Sequence, residues 1–165
     1  MIDQDGYRAN VGIMLSNGQG ELLWARRLGR DGWQFPQGGI QENESPQQAL
    51  FRELKEEIGL EVNEVEVIKS TNGWLRYDLP RHLQRTNSKP VCIGQKQIWF
   101  LLKLISSEEL IKLDCSEKPE FDKWRWIQPE LAVEQVVEFK RAVYQRALSV
   151  LLPDFSLSLK QRCSQ

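Results

Sequence analysis

The segment SPQQALFRELKEEIG, from Ser45 to Gly59, constrains the fold most because it specifies both ends of one helix and two different faces. Ser45 is a favoured N-cap residue, Pro46 suits the first helical position, and Gln48 is placed to complete a capping box. Gly59 marks the end, so a helix is predicted over about residues 46–58. The helix must pack against a core, because its apolar stripe contains Leu50, Phe51, Leu54 and Ile58.

The second face of the predicted helix is acidic. Glu53, Glu56 and Glu57 are three and four residues apart and therefore share one side of a helix. Like charges at these spacings repel by about 0.2 to 0.5 kcal/mol per pair on an isolated helix, and only Lys55 intervenes, pointing elsewhere. The sequence therefore predicts three uncompensated carboxylates, which are typical of an oxygen-rich site for Mg²⁺ or Mn²⁺. The alternative interpretation is a solvated acidic face.

The rest of the chain mixes strand and helix patterns. A hairpin is predicted from Asn10 to Arg27, and further strands within residues 65–77, 93–105 and 123–127. The tryptophans in these last two strands, Trp99, Trp124 and Trp126, are expected in the core. From Pro129 to Pro153 the pattern is that of one late helix with Val136, Phe139, Val143, Ala147 and Val150 on its apolar stripe. This order favours an α/β fold with a compact mixed sheet flanked by helices.

The length of the chain indicates a single domain, and its charge is unevenly distributed. At 165 residues the chain is expected to form one domain over residues 1–155, followed by a frayed tail at 156–165. The net charge of −1 conceals an acidic region, residues 42–66, and a basic region, residues 67–104. One interpretation is charge alternation that the fold averages out. The other is a cation site beside a surface for an anionic ligand.

Targeting and metal-binding signals of other kinds are not evident in the sequence. The N-terminal residues lack the apolar stretch of a secretion signal, and no apolar run is long enough to span a membrane. The cysteines, Cys92, Cys115 and Cys163, indicate neither a disulfide framework nor a zinc site. His82, the only histidine, has no nucleophile elbow to accompany it. A cytoplasmic protein is expected.

A longer motif surrounds the acidic helix. Residues 38–60, GGIQENESPQQALFRELKEEIGL, fit the pattern G-x5-E-x7-R-E-U-x-E-E-x-G-U, where U is a bulky aliphatic residue. The fixed positions are Gly38, Glu44, Arg52, Glu53, Leu54, Glu56, Glu57, Gly59 and Leu60. This pattern resembles the Nudix box. The resemblance implies an α/β/α sandwich whose loop and helix bind Mg²⁺ or Mn²⁺ and hydrolyse a diphosphate linked to another group.

The resemblance also implies roles for the acidic residues. Glu53, Glu56 and Glu57 would be metal ligands, and one of them could accept the proton of the attacking water. Glu120, in the segment PEFDKW, resembles the downstream carboxylate that joins the metal site or serves as the base in many Nudix enzymes. The alternative for Glu120 is an ordinary surface glutamate.

Other residues of the box would support the site. The resemblance implies an internal ion pair between Glu44 and Arg52 that fixes the loop against the helix. Gly38 and Gly39 would let the backbone approach closely. A backbone carbonyl at Gln37 or Gly38 could then complete the metal coordination.

Segments beyond the box resemble the bacterial RNA 5′-pyrophosphohydrolases, a subgroup that also resembles the dinucleoside polyphosphate hydrolases. They include DGYRANVGIML, WQFPQGGI, NGWLRYDLP, KPVCIGQKQIWFLL and VVEFKRAVY, and the match runs over about residues 1–150. The expected reaction converts a 5′-triphosphate end of single-stranded RNA to a 5′-monophosphate end, which initiates mRNA decay. Small nucleotides are further candidate substrates, and a stimulating protein is a candidate partner.

Residues outside the box would hold this substrate. The side chains suited to the phosphates are those of Arg8, Arg27, Gln95, Lys96 and Lys140. Phe139 and Arg27 resemble a pair that sandwiches a base near the 5′ end. The alternatives are a core position for Phe139 and plain surface charge for Lys96 and Lys140. Two rival functions are a dinucleoside polyphosphate hydrolase and a catalytically silent Nudix-like module that binds RNA or protein.

Overall fold

A mixed sheet forms the centre of the computed structural model, which describes residues 1–84, 87 and 89–152. The predicted tail, residues 156–165, lies outside the described residues. The sheet has eight strands: β1 (Tyr7–Ser16), β2 (Leu22–Arg27), β3 (Trp33–Gln34), β4 (Gln37–Gly39), β5 (Val65–Ser70), β6 (Leu75–Asp78), β7 (Gly94–Leu104) and β8 (Phe121–Ile127). The α-helices are α1 (Pro46–Glu53), α2 (Pro129–Gln135) and α3 (Glu138–Leu151).

The two longest strands, β1 and β7, lie side by side at the centre of the sheet. They pair in parallel from Tyr7 opposite Gly94 to Ser16 opposite Lys103, whereas all other strand pairs are antiparallel. The predicted hairpin is confirmed, because β1 and β2 are antiparallel neighbours joined by a tight turn. Hydrogen-bonded neighbours along the sheet follow the order β3-β2-β1-β7-β5. The remaining strands pair with members of this row: β4 with β1, β6 with β7 and β8 with β2.

Helices cover both faces of the sheet, which confirms the predicted α/β/α sandwich. Trp24, Phe35, Trp99 and Tyr144 pack edge to face or tilted against one another on the face covered by α2 and α3. On the other face, α1 buries Leu50 and Leu54, and the chain beyond it buries Ile58. Each face therefore has its own apolar core, and alternating residues of β1 and β7 contribute to both.

The acidic helix begins and ends as predicted but changes geometry along its length. Ser45 Oγ accepts a hydrogen bond from Gln48 N at 3.1 Å, Gln48 Oε1 accepts one from Ser45 N at 2.9 Å, and Gly59 has a φ of 77°. The predicted helical range of residues 46–58 is confirmed, but its last part, Leu54–Ile58, is a π-helical turn and does not keep the α-helical spacing on which the acidic stripe was predicted. A π turn fits more residues than an α turn, so residues three apart diverge further around the axis while residues four apart stay close.

The late helical region also differs from the prediction. It divides into α2 and α3 because Val136 and Val137 are extended, with ψ values of 154° and 140°. The break turns the chain so that α3 begins at the rim of a cleft described below. Val150, expected on the buried stripe, is exposed, since the stripe continues through Leu148 and Leu151 instead.

The tryptophan predictions are confirmed only in part. Trp99 is fully buried, whereas Trp124 and Trp126 on β8 are half-buried and pack against each other near the edge of the core. Among residues 1–84, 87 and 89–152, no helix has the length and apolar character needed to cross a membrane.

Candidate active site

Three carboxylates converge where the acidic helix meets the strand β8. Glu53 is the last residue of α1, Glu57 lies in the π-helical turn, and Glu120 immediately precedes β8. One carboxylate oxygen from each lies within 4.8 Å of the other two. The backbone N–H of Glu120 donates to Glu57 Oε2 at 3.1 Å, which fastens the two segments together. We refer to Glu53, Glu57 and Glu120 as the acidic cluster.

A glycine on the neighbouring strand makes room for the acidic cluster. A side-chain carbon at Gly38 would overlap the Glu53 carboxylate, so this residue must be glycine for the carboxylate to lie against β4. The same carbon at Gly39 would meet nothing within 4 Å. The expected close approach therefore occurs at Gly38 and not at Gly39.

The acidic cluster is electrostatically strained without a cation. Burial is the main cause of a raised side-chain pKa at Glu53 and at Glu57. Burial, together with the charges of Glu57 and Glu53, raises the pKa of Glu120 to about 7. Oxygen ligands that are crowded, buried and negative are those that hard divalent cations prefer. The residues present therefore fit a divalent metal ion.

Arg52 partly neutralises the acidic side of the helix. Its guanidinium donates to both carboxylate oxygens of Glu44, at 2.8 and 2.9 Å, and to Gly39 O at 2.8 Å. It also donates to Glu53 at 2.8 Å and to Glu56 at 3.3 Å. The prediction that the stripe lacks compensation is thus wrong, because the five guanidinium donors reach several partners at once. The Arg52 hydrogen bond is the main cause of a lowered pKa at Glu44.

Glu56 stands apart from the other acidic residues of the box. The π-helical turn rotates it away from Glu53, and its side chain is 44% exposed. It contacts Arg52 rather than the acidic cluster. The structure therefore brings together Glu53, Glu57 and Glu120, and places Glu56 beside them on the solvent side.

A cleft of about 460 Å³ lies on the α3 side of the sheet. Arg27, Trp33, Phe139 and Lys140 contribute to its walls. The cleft adjoins the acidic cluster, because Leu28 N donates a hydrogen bond to Glu120 O at 2.9 Å and so holds Arg27 next to Glu120. The charges of Arg27 and Lys140 accordingly lower the pKa of Glu120, against the larger effect of burial. We call this cavity the cationic cleft.

Two residues of α3 shape this cleft. Phe139 is partly buried, with its ring centroid 6.0 Å from that of Tyr77, so it both contacts the core and lines the cleft. The surface-charge interpretation of Lys140 is wrong, since the residue is only 7% exposed. Its Nζ donates to Gln34 Oε1 at 3.2 Å and to Gln37 Oε1 at 3.4 Å. Burial lowers the pKa of Lys140 to about 8.

The other expected phosphate-binding residues are distributed differently. Lys96 faces the opposite side of β7 from Gln95, because successive side chains of a strand alternate. It pairs with Asp3 at 3.1 Å and lies over the ring of Trp74, so it does not reach the cationic cleft. Arg8 is exposed and lines a separate open cavity beside Gly39.

Side-chain amides link these groups. The sequence patterns indicated Gln95 as a phosphate-binding residue and Gln37 for its backbone carbonyl, but they did not indicate Gln97 or Asn10. Gln37 donates to Gln95 Oε1 at 3.0 Å, and Gln97 donates to Asn10 Oδ1 at 2.8 Å and to Gln37 Oε1 at 3.3 Å. The available signal is the pair Gln95 and Gln97 on an otherwise apolar central strand, where polar residues two apart share one face.

The fold and the acidic cluster together define a class of protein. The sequence matches the NUDIX domain over residues 6–147, which is most of the chain, and the chain therefore belongs to this family. It is similar to an RNA pyrophosphohydrolase of Alkalilimnicola ehrlichii, with 60% identity over 153 residues that cover 93% of this chain and 84% of that protein. It is also similar to an RNA pyrophosphohydrolase of Pseudomonas putida, with 58% identity and coverage of 93% and 96%.

Two solved structures illustrate the likeness of fold. The E. coli dihydroneopterin triphosphate pyrophosphohydrolase has a TM-score of 0.67 and 21% identity, covering 85% of this chain and 95% of that chain. A C. elegans Ap4A hydrolase complex has a TM-score of 0.63 and 17% identity, covering 89% and 98%. At these identities the likeness establishes the fold alone.

Proposed function

We propose that this protein is an RNA pyrophosphohydrolase that converts the 5′-triphosphate end of RNA to a 5′-monophosphate end, with release of pyrophosphate or of successive phosphates. The proposal is supported by relatives of that name at 58–60% identity over most of the chain. The observation that carries it is that the acidic cluster adjoins the cationic cleft, since Leu28 N donates to Glu120 O at 2.9 Å and the neighbouring Arg27 lines the cleft with Lys140. A divalent-cation site beside an anion-binding cleft suits a polyphosphate substrate.

The proposed cofactor is Mg²⁺ or Mn²⁺. Glu53, Glu57 and Glu120 would hold the ion, with Glu56 and a backbone carbonyl of Gln37 or Gly38 as further candidate ligands. When bound, a divalent ion neutralises phosphate charge and lowers the pKa of a coordinated water. One carboxylate of the site accepts the proton of the attacking water. Glu44 and Arg52 hold the loop against the helix so that these carboxylates keep their positions.

The cationic cleft binds and orients the RNA end in this proposal. Lys140 and Arg27 line the cleft and attract the phosphates. Gln95 adjoins the cleft through Gln37, which accepts a hydrogen bond from Lys140, and it donates a hydrogen bond to the phosphates. Phe139 and the Arg27 guanidinium stack on a base near the 5′ end. Arg8 contacts phosphate from the separate cavity beside Gly39, whereas Lys96 is held by Asp3 and the Trp74 ring.

The proposed setting follows from the reaction. Residues 1–155 act as one catalytic domain on single-stranded RNA 5′ ends in the cytoplasm, where removal of the triphosphate initiates mRNA decay. Small nucleotides are secondary substrates, and a protein partner that stimulates the reaction would act on this same domain.

A competition assay tests the proposed function. Purified protein, Mg²⁺, a short RNA with a 5′-triphosphate and diadenosine tetraphosphate are mixed in one tube, and the products are resolved over time. We expect preferential conversion of the RNA to its 5′-monophosphate form. Preferential cleavage of the dinucleotide would instead assign the protein to dinucleoside polyphosphate hydrolysis, and cleavage of neither would indicate a silent binding module.

A further inference from the structure

We infer that Trp99 and Gln97 are positioning residues that, through Gln37, hold the Gln95 side chain with its NH₂ group toward the bound 5′-phosphates. The inference rests on the proposed function, because it explains how a neutral side chain presents a donor, rather than an acceptor, to an anionic substrate. None of the three supporting side chains needs to touch the RNA for this effect.

The hydrogen bonds run in one direction along the buried amides. Trp99 Nε1 donates to Gln97 Oε1 at 3.1 Å, and Gln97 Nε2 donates onward to Gln37 Oε1 at 3.3 Å. Gln37 Nε2 then donates to Gln95 Oε1 at 3.0 Å. Each amide accepts at its oxygen and donates from its nitrogen, so the orientation of one fixes that of the next. We refer to these four residues as the amide relay.

The direction is anchored at two points by groups that can only donate. An indole N–H is a donor without acceptor capacity, so Trp99 requires the oxygen of Gln97 to face it. The ammonium group of Lys140 is likewise only a donor, and it contacts Gln37 Oε1 at 3.4 Å. Both anchors require the same orientation of Gln37. If Gln37 turned over, its NH₂ group would face both the NH₂ group of Gln97 and the Lys140 ammonium.

Burial makes the orientation energetically significant. Gln97 and Trp99 are fully buried, and Gln37 is 9% exposed, so a mismatched donor or acceptor could not turn to water instead. A side-chain carbon at Gly12 would overlap the Trp99 ring, so glycine at this position lets the indole lie across β1. The position of the indole N–H is therefore set by the core.

Gln95 is the end of the amide relay and is half-buried. Its Oε1 accepts the hydrogen bond from Gln37, so within the described part of the chain the two N–H donors of its Nε2 group remain for a ligand. A reversed Gln95 would present a carbonyl oxygen, which repels phosphate oxygens. The amide relay thus gives a neutral residue a fixed preference for anions.

The test compares two buried tryptophans that differ in one hydrogen bond. Trp99→Phe removes the first donor of the amide relay. Trp24→Phe is the matched control, because Trp24 is also fully buried but its Nε1 has no hydrogen-bond partner within the described part of the chain. For hydrolysis of 5′-triphosphate RNA, we expect Trp99→Phe to raise KM roughly three- to fivefold with kcat nearly unchanged. The KM of Trp24→Phe should equal that of the wild type.

A double-mutant cycle separates positioning from a general loss of packing. Gln95→Ala should raise KM by a similar factor, and adding Trp99→Phe to Gln95→Ala should raise it no further. Gln97→Met, which keeps the size of the side chain but removes the amide, provides a second variant with the same expected pattern. Additive effects, or equal effects of Trp99→Phe and Trp24→Phe, would overturn the inference.

A spectroscopic readout does not depend on the RNA reaction. In the free protein, the NMR signals of the Gln37, Gln95 and Gln97 side-chain NH₂ groups should shift and exchange faster with solvent in Trp99→Phe but not in Trp24→Phe. Unchanged signals in Trp99→Phe would contradict the amide relay even if the wild type cleaves RNA. A wild-type protein that leaves RNA intact but shows the expected shifts would instead reject the proposed function alone.

Discussion

The α1 side and the α3 side of the sheet hold their polar groups in opposite ways. On the α1 side, the acidic cluster crowds like charges, and burial raises the pKa of each carboxylate. On the α3 side, the buried amides and Lys140 satisfy one another with hydrogen bonds of 2.8 to 3.4 Å. The first arrangement crowds negative charges that a divalent cation would neutralise, whereas in the second the buried amides already pair with one another and Gln95 keeps donors for a ligand. This difference fits the proposed function, in which the acidic cluster would bind metal and the amides and Lys140 would orient the substrate.

The largest expected effect is the loss of a metal-site charge. Glu53→Gln keeps the size of the side chain but removes one negative charge from the acidic cluster. We expect kcat on 5′-triphosphate RNA to fall by about 10²- to 10³-fold while the melting temperature stays at or above the wild-type value. Glu66→Gln on the exposed part of β5 is the control and should be unaffected. Wild-type rates for Glu53→Gln in saturating Mg²⁺ would remove Glu53 from the mechanism.

The next largest effect is expected for the loss of the Lys140 charge, which tests whether the cationic cleft on the α3 side binds the substrate. Lys140→Met should raise KM for triphosphate RNA by about tenfold or more, because a charge-assisted hydrogen bond to phosphate is lost. Lys96→Met is the matched control, since Lys96 pairs with Asp3 on the other side of β7. Steady-state kinetics on both variants decide the point. Equal KM values for the two variants would mean that Lys140 does not bind the substrate phosphates.

Phe139 should show a smaller effect that depends on the substrate. Phe139→Leu keeps an apolar side chain against the core but removes the stacking ring. We expect KM for triphosphate RNA to rise by roughly tenfold, in line with the stacking of one base. Hydrolysis or inhibition measured with inorganic tripolyphosphate, which has no base, should be unchanged. A similar change with both ligands would assign Phe139 to the core alone.

The smallest expected effect is the pH dependence of stability in metal-free protein. Folding raises the pKa of Glu120 from 4.5 to about 7. The stability that this group contributes is therefore complete below about pH 4.5 and is lost as the pH rises through about 7. We expect the melting temperature without metal to fall by a few degrees between about pH 5 and pH 8. Mg²⁺ should restore it more at the higher pH, and Glu120→Gln should remove most of the fall.

The sequence predicted best those features that depend on local spacing. The capping box at Ser45 and the stop at Gly59 follow from neighbouring residues, and the layered fold follows from the order of strands and helices. The box pattern also selected Glu53 and Glu57, and a shorter pattern selected Glu120, and the structure brings these three carboxylates together although they come from separate segments.

The features that the sequence did not predict depend on the packing of distant segments. The π-helical turn separates Glu56 from Glu53, and α-helical spacing cannot anticipate that change. The burial of Lys140 depends on Gln34 and Gln37, more than a hundred residues away. The position of Lys96 could have been found, since Gln95 and Lys96 are adjacent on a strand and cannot face the same side.

The most direct test of the central claim is a Mn²⁺ titration followed by electron paramagnetic resonance. The claim is that Glu53, Glu57 and Glu120 together hold a divalent ion, although Glu120 lies far from the box in sequence. We predict that Mn²⁺ binds the wild type, that Mg²⁺ displaces it, and that Glu120→Gln weakens its affinity by about tenfold or more while Glu117→Gln leaves it unchanged. Equal affinity in Glu120→Gln and the wild type would contradict the claim.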